Sequence, residues 1–344
     1  MTIIMVITLP NCRKDNLNNS SFPNIEGWEI DSTDFIYNWV SPTDIDFLNS
    51  KIGYIIGTNG DLLKTTDSGK SWVKSIIEKD SSAVMTSSIS FINDTTGYIY
   101  GYYNVLNGNW YGVLYKTTDG GESWKKQYFS TVYHMHSMKF FDTDNGIALN
   151  VINSGAYILT TNNGGLSWEI GSVELSDYRL FFLGDICYVT GKNQKILKSV
   201  DHGKTWQTIN TPVSSSSFIH GFYFMNEDIG FLATGEKKYK TVNGGNIWTE
   251  ITLPFYFDTP SSPYENFHFS NPNDGIAFLM VTDYIGGDFP SLIGTYVYTT
   301  SDGGNSWTKS DLFKKFSFGM VVYISDNLAY CISNKYVYTL QKKQ

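Results

Sequence analysis

Arginine is almost missing from this chain: in 344 residues only Arg13 and Arg179 occur. Recognition of a carboxylate or phosphate by several fork-shaped guanidinium contacts is therefore out of reach over most of its length. No run of basic residues compensates, and a formal net charge of -8 with a pI near 5.1 repels phosphate backbones, which speaks against nucleic acid as a partner. Cysteine is scarce as well. Of Cys12, Cys187 and Cys331, the last two fall in the second strands of repeat units 4 and 7 as read below, which are not neighbours, so both read as small buried hydrophobes rather than a disulfide. No apolar run is long enough for a spanning helix. Charged residues make up only 17% against 41% hydrophobic and 16% aromatic, a composition for folded β cores filled by rings.

What is present is a short motif repeated six times: TTDSGKSW (65–72), TTDGGESW (117–124), TNNGGLSW (161–168), SVDHGKTW (199–206), TVNGGNIW (241–248) and TSDGGNSW (300–307). The closing tryptophans Trp72, Trp124, Trp168, Trp206, Trp248 and Trp307 are 52, 44, 38, 42 and 59 residues apart, the period of a four-stranded propeller blade. Each unit reads as an alternating strand a, a tight polar turn, a Gly-aromatic strand b, a strand c ending in Lys-Thr-Thr or similar, the repeated turn, and a tryptophan strand d. Strands of the b type occur seven times: GYIIG (53–57), GYIYG (97–101), GIALN (146–150), CYVTG (187–191), GFLAT (230–234), GIAFL (275–279) and AYCIS (329–333). The seventh unit ends without a turn or tryptophan strand, and Gly27-Trp28-Glu29-Ile30 fits the missing place. The expected fold is all-β: one seven-bladed β-propeller over residues 27–344, with four-stranded antiparallel blades, closed by an N-terminal strand in blade 7.

In the repeated turn, Asp67, Asp119, Asp201 and Asp302 occupy an acidic position that Asn163 and Asn243 take twice. An Asp or Asn side chain accepts backbone N–H bonds within its own turn, and the glycine that follows allows a backbone that other residues resist. A carboxylate essential to catalysis or calcium would not yield to asparagine, so these residues read as structural. The motif resembles the Asp-box, or BNR, repeat of sialidases, sortilin-type receptors, xyloglucanases and the photosystem II stability/assembly factor family. The phrase GYIIGTNGDLLKTTDSGKSW (53–72) is most similar to the last. That resemblance implies the propeller and leaves function open. A sialidase needs three arginines and is excluded; a xyloglucanase-like cleft usually spans two propellers, and one fits here. The assembly factors are expected to carry an arginine-rich patch, from which this acidic chain departs.

Residues 1–11 are apolar, and Cys12 is followed by Arg13, Lys14 and a polar run, with Leu9 three places before the cysteine. This resembles a bacterial lipoprotein signal, with Cys12 as the lipidation site and 1–26 as signal remnant and tether. Asn11 and the lack of a preceding basic residue depart from the pattern, and the alternative is an ordinary N-terminal strand or tail.

Long connections, 102–112, 253–264 and 282–295, share one propeller face, which makes Tyr103, Trp110, Tyr111, Tyr256, Phe257, Tyr264 and Tyr284 the binding candidates. Their alternative is mutual packing. Ten residues before the start of each b strand stand Thr43, Ser87, His136, Asp177, His220, Glu265 and Gly319. His136, Asp177, His220 and Glu265 thus fall at one channel mouth, where they either form a metal or acid-base site or, as expected, an open polar funnel without metal. His134, His202 and His268 read as incidental. The functional expectation is a monomeric, cofactor-free, non-catalytic scaffold at the bacterial cell envelope or outer surface, binding a protein or glycan on the long-loop face, with the membrane reached only through a lipid anchor. The alternative is a glycan-active hydrolase using carboxylates on that face.

Overall fold

The computed structural model describes residues 25, 28–34, 42–77, 84–104, 110–128, 135–152, 155–171, 173, 175–214, 217–219, 221–234, 237–251, 267–283, 291–314, 321–325, 328–333 and 336–343. Their strands form six four-stranded antiparallel sheets and one that carries a fifth strand. Blade 1 is Pro42–Phe47, Gly53–Gly57, Asp61–Thr65 and Val73–Ile76, and blade 2 is Val84–Phe91, Gly97–Asn104, Trp110–Thr117 and Lys125–Tyr128. Blade 3 is Met135–Phe140, Gly146–Ile152, Gly155–Thr161 and Glu169–Ile170; blade 4 is Leu175–Leu183, Ile186–Gly191, Lys195–Ser199 and Gln207–Ile209. Blade 5 is Gly221–Phe224, Gly230–Ala233, Lys238–Thr241 and Thr249–Ile251. Blade 6 is Phe267–Phe269, Gly275–Asp283, Ser291–Thr300 and Thr308–Lys309, with the short Phe313–Lys314 added to its c strand. In the seam sheet, Val321–Ser325, Leu328–Ser333 and Tyr336–Lys342 are joined by the N-terminal Trp28–Asp34, in register from Trp28 opposite Lys342 to Asp34 opposite Tyr336.

The expected blade pattern of four antiparallel strands therefore holds, with blade 6 departing by its fifth strand. The d strands also differ from expectation. In blades 1 to 6 they start one residue after the tryptophan, which belongs to the turn.

One arrangement explains why b strands begin with glycine and an aromatic residue. Phe91, at the end of blade 2's a strand, lies over Gly97 of its own blade, where an added Cβ would come within 2.6 Å of the ring. On one side the ring stacks on Tyr54 of blade 1, centroids 3.6 Å apart, and Trp124 meets it edge-on at 6.0 Å. The same set recurs as Tyr98, Phe140 and Trp168 between blades 2 and 3, as Tyr188, Phe224 and Trp248 between blades 4 and 5, and as Phe231, Phe269 and Trp307 between blades 5 and 6. Between the seam sheet and blade 1 it is Tyr330, Phe47 and Trp72. Two exceptions have a matching cause. Ile147 in blade 3 and Ile276 in blade 6 replace the stacking tyrosine, and in the sheets that follow, Cys187 and Ala329 replace the glycine. Without a ring to flatten the phenylalanine against the backbone, a Cβ is tolerated.

Further bonds reinforce these seams. Tyr98 Oη donates to the Thr143 carbonyl at 2.9 Å, and the Lys64 and Lys240 ammonium groups each donate to a glycine carbonyl of the next blade's turn at 2.8 Å. Lys342 of the seam sheet pairs with Asp274 of blade 6 at 2.6 Å. Cys187 is a free, buried thiol.

Gly97→Ala is expected to destabilise the protein by about 1 to 3 kcal/mol through overpacking against Phe91. Phe91→Leu introduced alongside should recover part of that loss in urea melts. Wild-type stability for the single variant would contradict the stacked-ring account.

Candidate functional site

The repeated turns fix one end of blades 1 to 6. In blade 1, Thr65 Oγ1 accepts the Gly69 N–H (2.8 Å) and donates to Asp67 Oδ1 (2.9 Å). Asp67 Oδ1 also accepts the Ser71 N–H (2.9 Å), Ser71 Oγ donates to Oδ2 (2.6 Å), and the Trp72 indole donates to the Gly69 carbonyl (3.1 Å). The sequence reading assigned the unusual backbone to the second glycine, whose φ runs from 74° at Gly69 to 90° at Gly121. The residue before it shares that conformation, and Ser68 and His202 adopt it without being glycine. Asn163 closes the same loop, accepting the Ser167 N–H at 3.0 Å while its amide donates to Ser167 Oγ at 2.8 Å, so a carboxylate is not required. For Asp302 the Ser306 hydroxyl and N–H hold the carboxyl down to about 2. Desolvation opposes the equivalent bonds at Asp201, but the Thr205 hydroxyl and N–H prevail and it too falls to about 2. All of this carboxylate capacity is spent within the turn.

At the other end lie the b-to-c connections. Two segments expected as loops are largely extended hairpins. In blade 2 the ladder continues through Tyr103 opposite Tyr111 to Asn104 opposite Trp110, and in blade 6 it continues to Asp283 opposite Ser291. Tyr103 and Tyr111 stack with centroids 6.0 Å apart, and the Lys126 ammonium lies 4.8 Å from the Tyr103 ring. Tyr103 also packs on the core between blades 1 and 2, so part of the mutual-packing alternative is realised. Blade 6 carries a counterpart that the sequence reading missed, with Lys309 3.5 Å over Tyr296. Its only signal was a lysine two places after the turn's tryptophan, as Lys126 follows Trp124. Tyr256, Phe257, Tyr264 and Tyr284 lie outside the described residues.

The channel-mouth register has a physical basis. The a strands of blades 1, 2 and 3 each shift register at the residue singled out: between Pro42 and Asp44, between Thr86 and Ser88, and between Met135 and Ser137. Thr43, Ser87 and His136 are thus bulge residues, which re-aim side chains. Thr43 Oγ1 lies 3.2 Å from Thr86 Oγ1 of the next blade, and Ser87 Oγ donates to the Met135 carbonyl at 2.8 Å. His136 is exposed. In blade 4 the a-to-b turn is one residue shorter, because Phe182 faces Cys187 whereas Phe47 faces Gly53. Counting from the phenylalanine puts Tyr178 rather than Asp177 in this place, and both fall within an irregular stretch between Leu175 and Leu180. His220 and Glu265 lie outside the described residues, and among those described no group of three or more His, Cys, Asp or Glu could hold a metal ion.

The inner strands carry two acidic residues that the sequence reading passed over. Asp44 Oδ2 accepts the Ile89 N–H (2.9 Å) and the Ser88 hydroxyl (3.1 Å) of blade 2, and Asp46 Oδ2 accepts the Phe91 N–H (2.6 Å). Ser88 and Ser90 repeat the device one blade on, each accepting a blade 3 N–H, from Met138 and Phe140, at 3.0 Å. Burial pushes Asp44 up to about 7 and Asp46 up to about 6, with the hydrogen bonds opposing. Two acidic residues alternating on one strand were the available signal.

An all-β propeller of short antiparallel blades, knit by Asp or Asn turns and interleaved rings, is the class these features define. Residues 24–177 match the family model described as photosynthesis system II assembly factor YCF48, and residues 194–343 match that of sortilin, neurotensin receptor 3. The photosystem II assembly lipoprotein Ycf48 of Synechococcus sp. (strain CC9902) is 24% identical over 275 residues, covering 78% of this chain and 74% of its own. Among solved structures, YCF48 bound to D1 peptide aligns with a TM-score of 0.66 at 17% identity, covering 94% of this chain and all of its own. YCF48 from Cyanidioschyzon merolae aligns at 0.63 and 16%, covering 92% and 99%. A streptogramin B lyase also aligns at 0.56 and 10%, covering 92% and 98%, so structural likeness at these identities carries the fold alone. The chain is thus a β-propeller of BNR type that resembles the photosystem II assembly factors.

Two outcomes follow. Asp119→Asn is expected to cost under about 1 kcal/mol, since Asn163 closes the same loop with its hydroxyl bond reversed, while Trp124→Ala costs roughly 3 to 5; equal losses in denaturant would contradict this division. Asp44 and Asp46 have folded-state values above their unfolded ones, so the native state holds more protons between about pH 4 and 7 and stability falls as pH rises through that window. The turn carboxylates, displaced downward, lose their contribution only as pH falls below about 4. The melting temperature should therefore peak near pH 4 to 5, and Asp44→Asn with Asp46→Asn should flatten the decline toward pH 8. An unchanged decline in the double variant would refute the assignment.

Proposed function

We propose that the chain is a non-catalytic binding or assembly scaffold whose sheets close a seven-bladed ring and which takes an extended polypeptide on the face of the b-to-c hairpins. The observation that carries this reading is the pair of lengthened hairpins in blades 2 and 6, each with a lysine set against a tyrosine, Lys126 with Tyr103 and Lys309 with Tyr296. Rigid strand-borne rings with a cation beside them contact a peptide at low entropic cost. The likeness to YCF48, one structure of which holds a D1 peptide, supports a protein over a glycan as the partner class. A lipid on Cys12 would tether the scaffold to a membrane of the cell envelope, a reading supported by the relative described as a lipoprotein.

Tyr111→Ala combined with Lys126→Ala is expected to weaken capture from an extended-peptide library about tenfold or more, a loss of at least 1.4 kcal/mol. The chain should release no sugar from a polysaccharide panel. Turnover that disappears on replacing a hairpin-face carboxylate would establish the hydrolase instead. For the tether, expression of the full chain with a clickable palmitate should label the wild type and not Cys12→Ser; absence of label in both would remove the lipid anchor.

A further inference from the structure

The turn-bearing end of the propeller carries an asymmetry that neither the fold nor the hairpin face explains. In blades 1, 2, 3, 5 and 6 the turn is bonded to its own blade's a-to-b turn, as Gly164 N–H to the Asp144 carbonyl (2.9 Å) and Gly244 N–H to the Asp228 carbonyl (2.8 Å), so both sets of turns share one face. In blades 3, 4 and 5 the turns expose Leu166 (68%), Val200 (59%), Val242 (65%) and Ile247 (67%). The sister turns show that the local geometry does not ask for these residues. Thr66, Thr118 and Ser301 stand where Val200 and Val242 do, Glu122 and Asn305 where Leu166 does, and Ser71, Ser123 and Ser306 where Ile247 does. At Ile247 the cost is visible: the hydroxyl that in sister turns donates to the turn's carboxylate is gone, and Asn243 Oδ1 keeps the Ile247 N–H at 2.8 Å and the Thr241 hydroxyl at 3.0 Å. Blades 3 and 4 share one hydrophobic cluster, and blades 4 and 5 another, so the apolar positions run along three adjoining blades. Apolar residues grouped on one face, unlike single scattered ones, mark an interaction surface.

Charge narrows the occupant. The a-to-b turns of the same blades expose Asp142, Asp144, Asp185, Glu227 and Asp228. Of the lysines there, Lys204 is exposed, while Lys139, Lys198 and Lys240 are half-buried and engaged by the Gly184 carbonyl, by Glu227 and by the Gly303 carbonyl. An acidic rim around an apolar centre disfavours an anionic lipid surface, and it disfavours an isologous second copy, whose rim would meet its like. We propose that this face of blades 3 to 5 is a second docking surface, for a polypeptide segment whose apolar side chains are flanked by lysine or arginine.

The probe is an amphipathic helical peptide of leucine and lysine, with a leucine-glutamate twin, titrated into the full chain. The decisive variant combines Leu166→Asn, Val200→Thr, Val242→Thr and Ile247→Ser, residues already carried by sister turns, so melting should be unchanged while every charge stays. The lysine peptide is expected to bind the wild type and to lose at least tenfold in affinity for this variant. Val73→Thr with Ile76→Thr, exposed on the outer edge of blade 1, should have no effect. Equal binding by the variant would reduce the interaction to general attraction by the acidic chain and overturn the proposal. So would equal binding of the glutamate twin, wild-type adsorption to zwitterionic vesicles that the variant lacks, or self-association in sedimentation that the variant abolishes.

Discussion

Most contacts between neighbouring blades depend on a phenylalanine ring held flat between an aromatic ring of one blade, tyrosine in four cases and Phe231 in another, and a glycine of the next. Tyr54 on Phe91 over Gly97 is representative: the stack at 3.6 Å presses the ring onto backbone where no Cβ can stand. Where a blade supplies the glycine for its own phenylalanine and an aromatic ring for its neighbour's, the requirement passes from blade to blade. The exceptions test it. Where isoleucine replaces the tyrosine, at Ile147 and Ile276, the following sheet has Cys187 or Ala329 in place of glycine. The tryptophan then meets the same ring from its edge, and in blades 1, 4 and 6 the turn's glycine carbonyl also holds the indole N–H. A chain with few charges and abundant rings can build an extended structure this way, since each contact buries large apolar area without needing ion pairs.

The two ends of the sheets carry different chemistry as a result. At the turn end, Asp, Ser, Thr and Gly groups satisfy one another, which leaves the outward side chains freer to vary, at the cost of one turn hydroxyl bond at Ile247. In blades 3 to 5 that freedom is used for Leu166, Val200, Val242 and Ile247. At the hairpin end, ladders lengthen beyond the core in blades 2 and 6, and lysines settle over tyrosine rings. Along the inner strands, Asp44, Asp46, Ser88 and Ser90 bond N–H groups of the adjoining blade, which stiffens a surface that would otherwise present unpaired donors. These carboxylates bond across the contact between blades 1 and 2.

Several features were legible from residue order because they are local. The turn requires hydroxyl, carboxylate or amide, glycine and tryptophan at fixed short spacings, so its six copies declared the blade period and the strand order. The pairing of Trp28 with the C-terminal strands followed from a missing fourth strand, an inference about edges that needs no coordinates. The acidic alternation of Asp44 and Asp46 was present in the letters but carried no meaning there, since its function depends on which N–H groups the next blade presents. The candidate Asp177 was displaced for a similar reason. A turn shortened by one residue in blade 4 changes the count, and only pairing of Phe182 with Cys187 reveals it.

The sequence by itself determined the all-β class, the repeated four-stranded unit, the structural nature of the turn residues and the exclusion of an arginine-dependent active site. Those conclusions rest on periodicity, short-range hydrogen bonding and the absence of a side chain, all of which are properties of a linear chain. Tertiary structure decided what lies opposite what: the ring stacks that explain Gly97, the bulges at Thr43, Ser87 and His136, the inter-blade bonds of Asp44 and Asp46, and the gathering of Leu166, Val200, Val242 and Ile247 on one face. These are relations between residues on different strands and blades, fixed by strand register and blade packing, and no local preference encodes them.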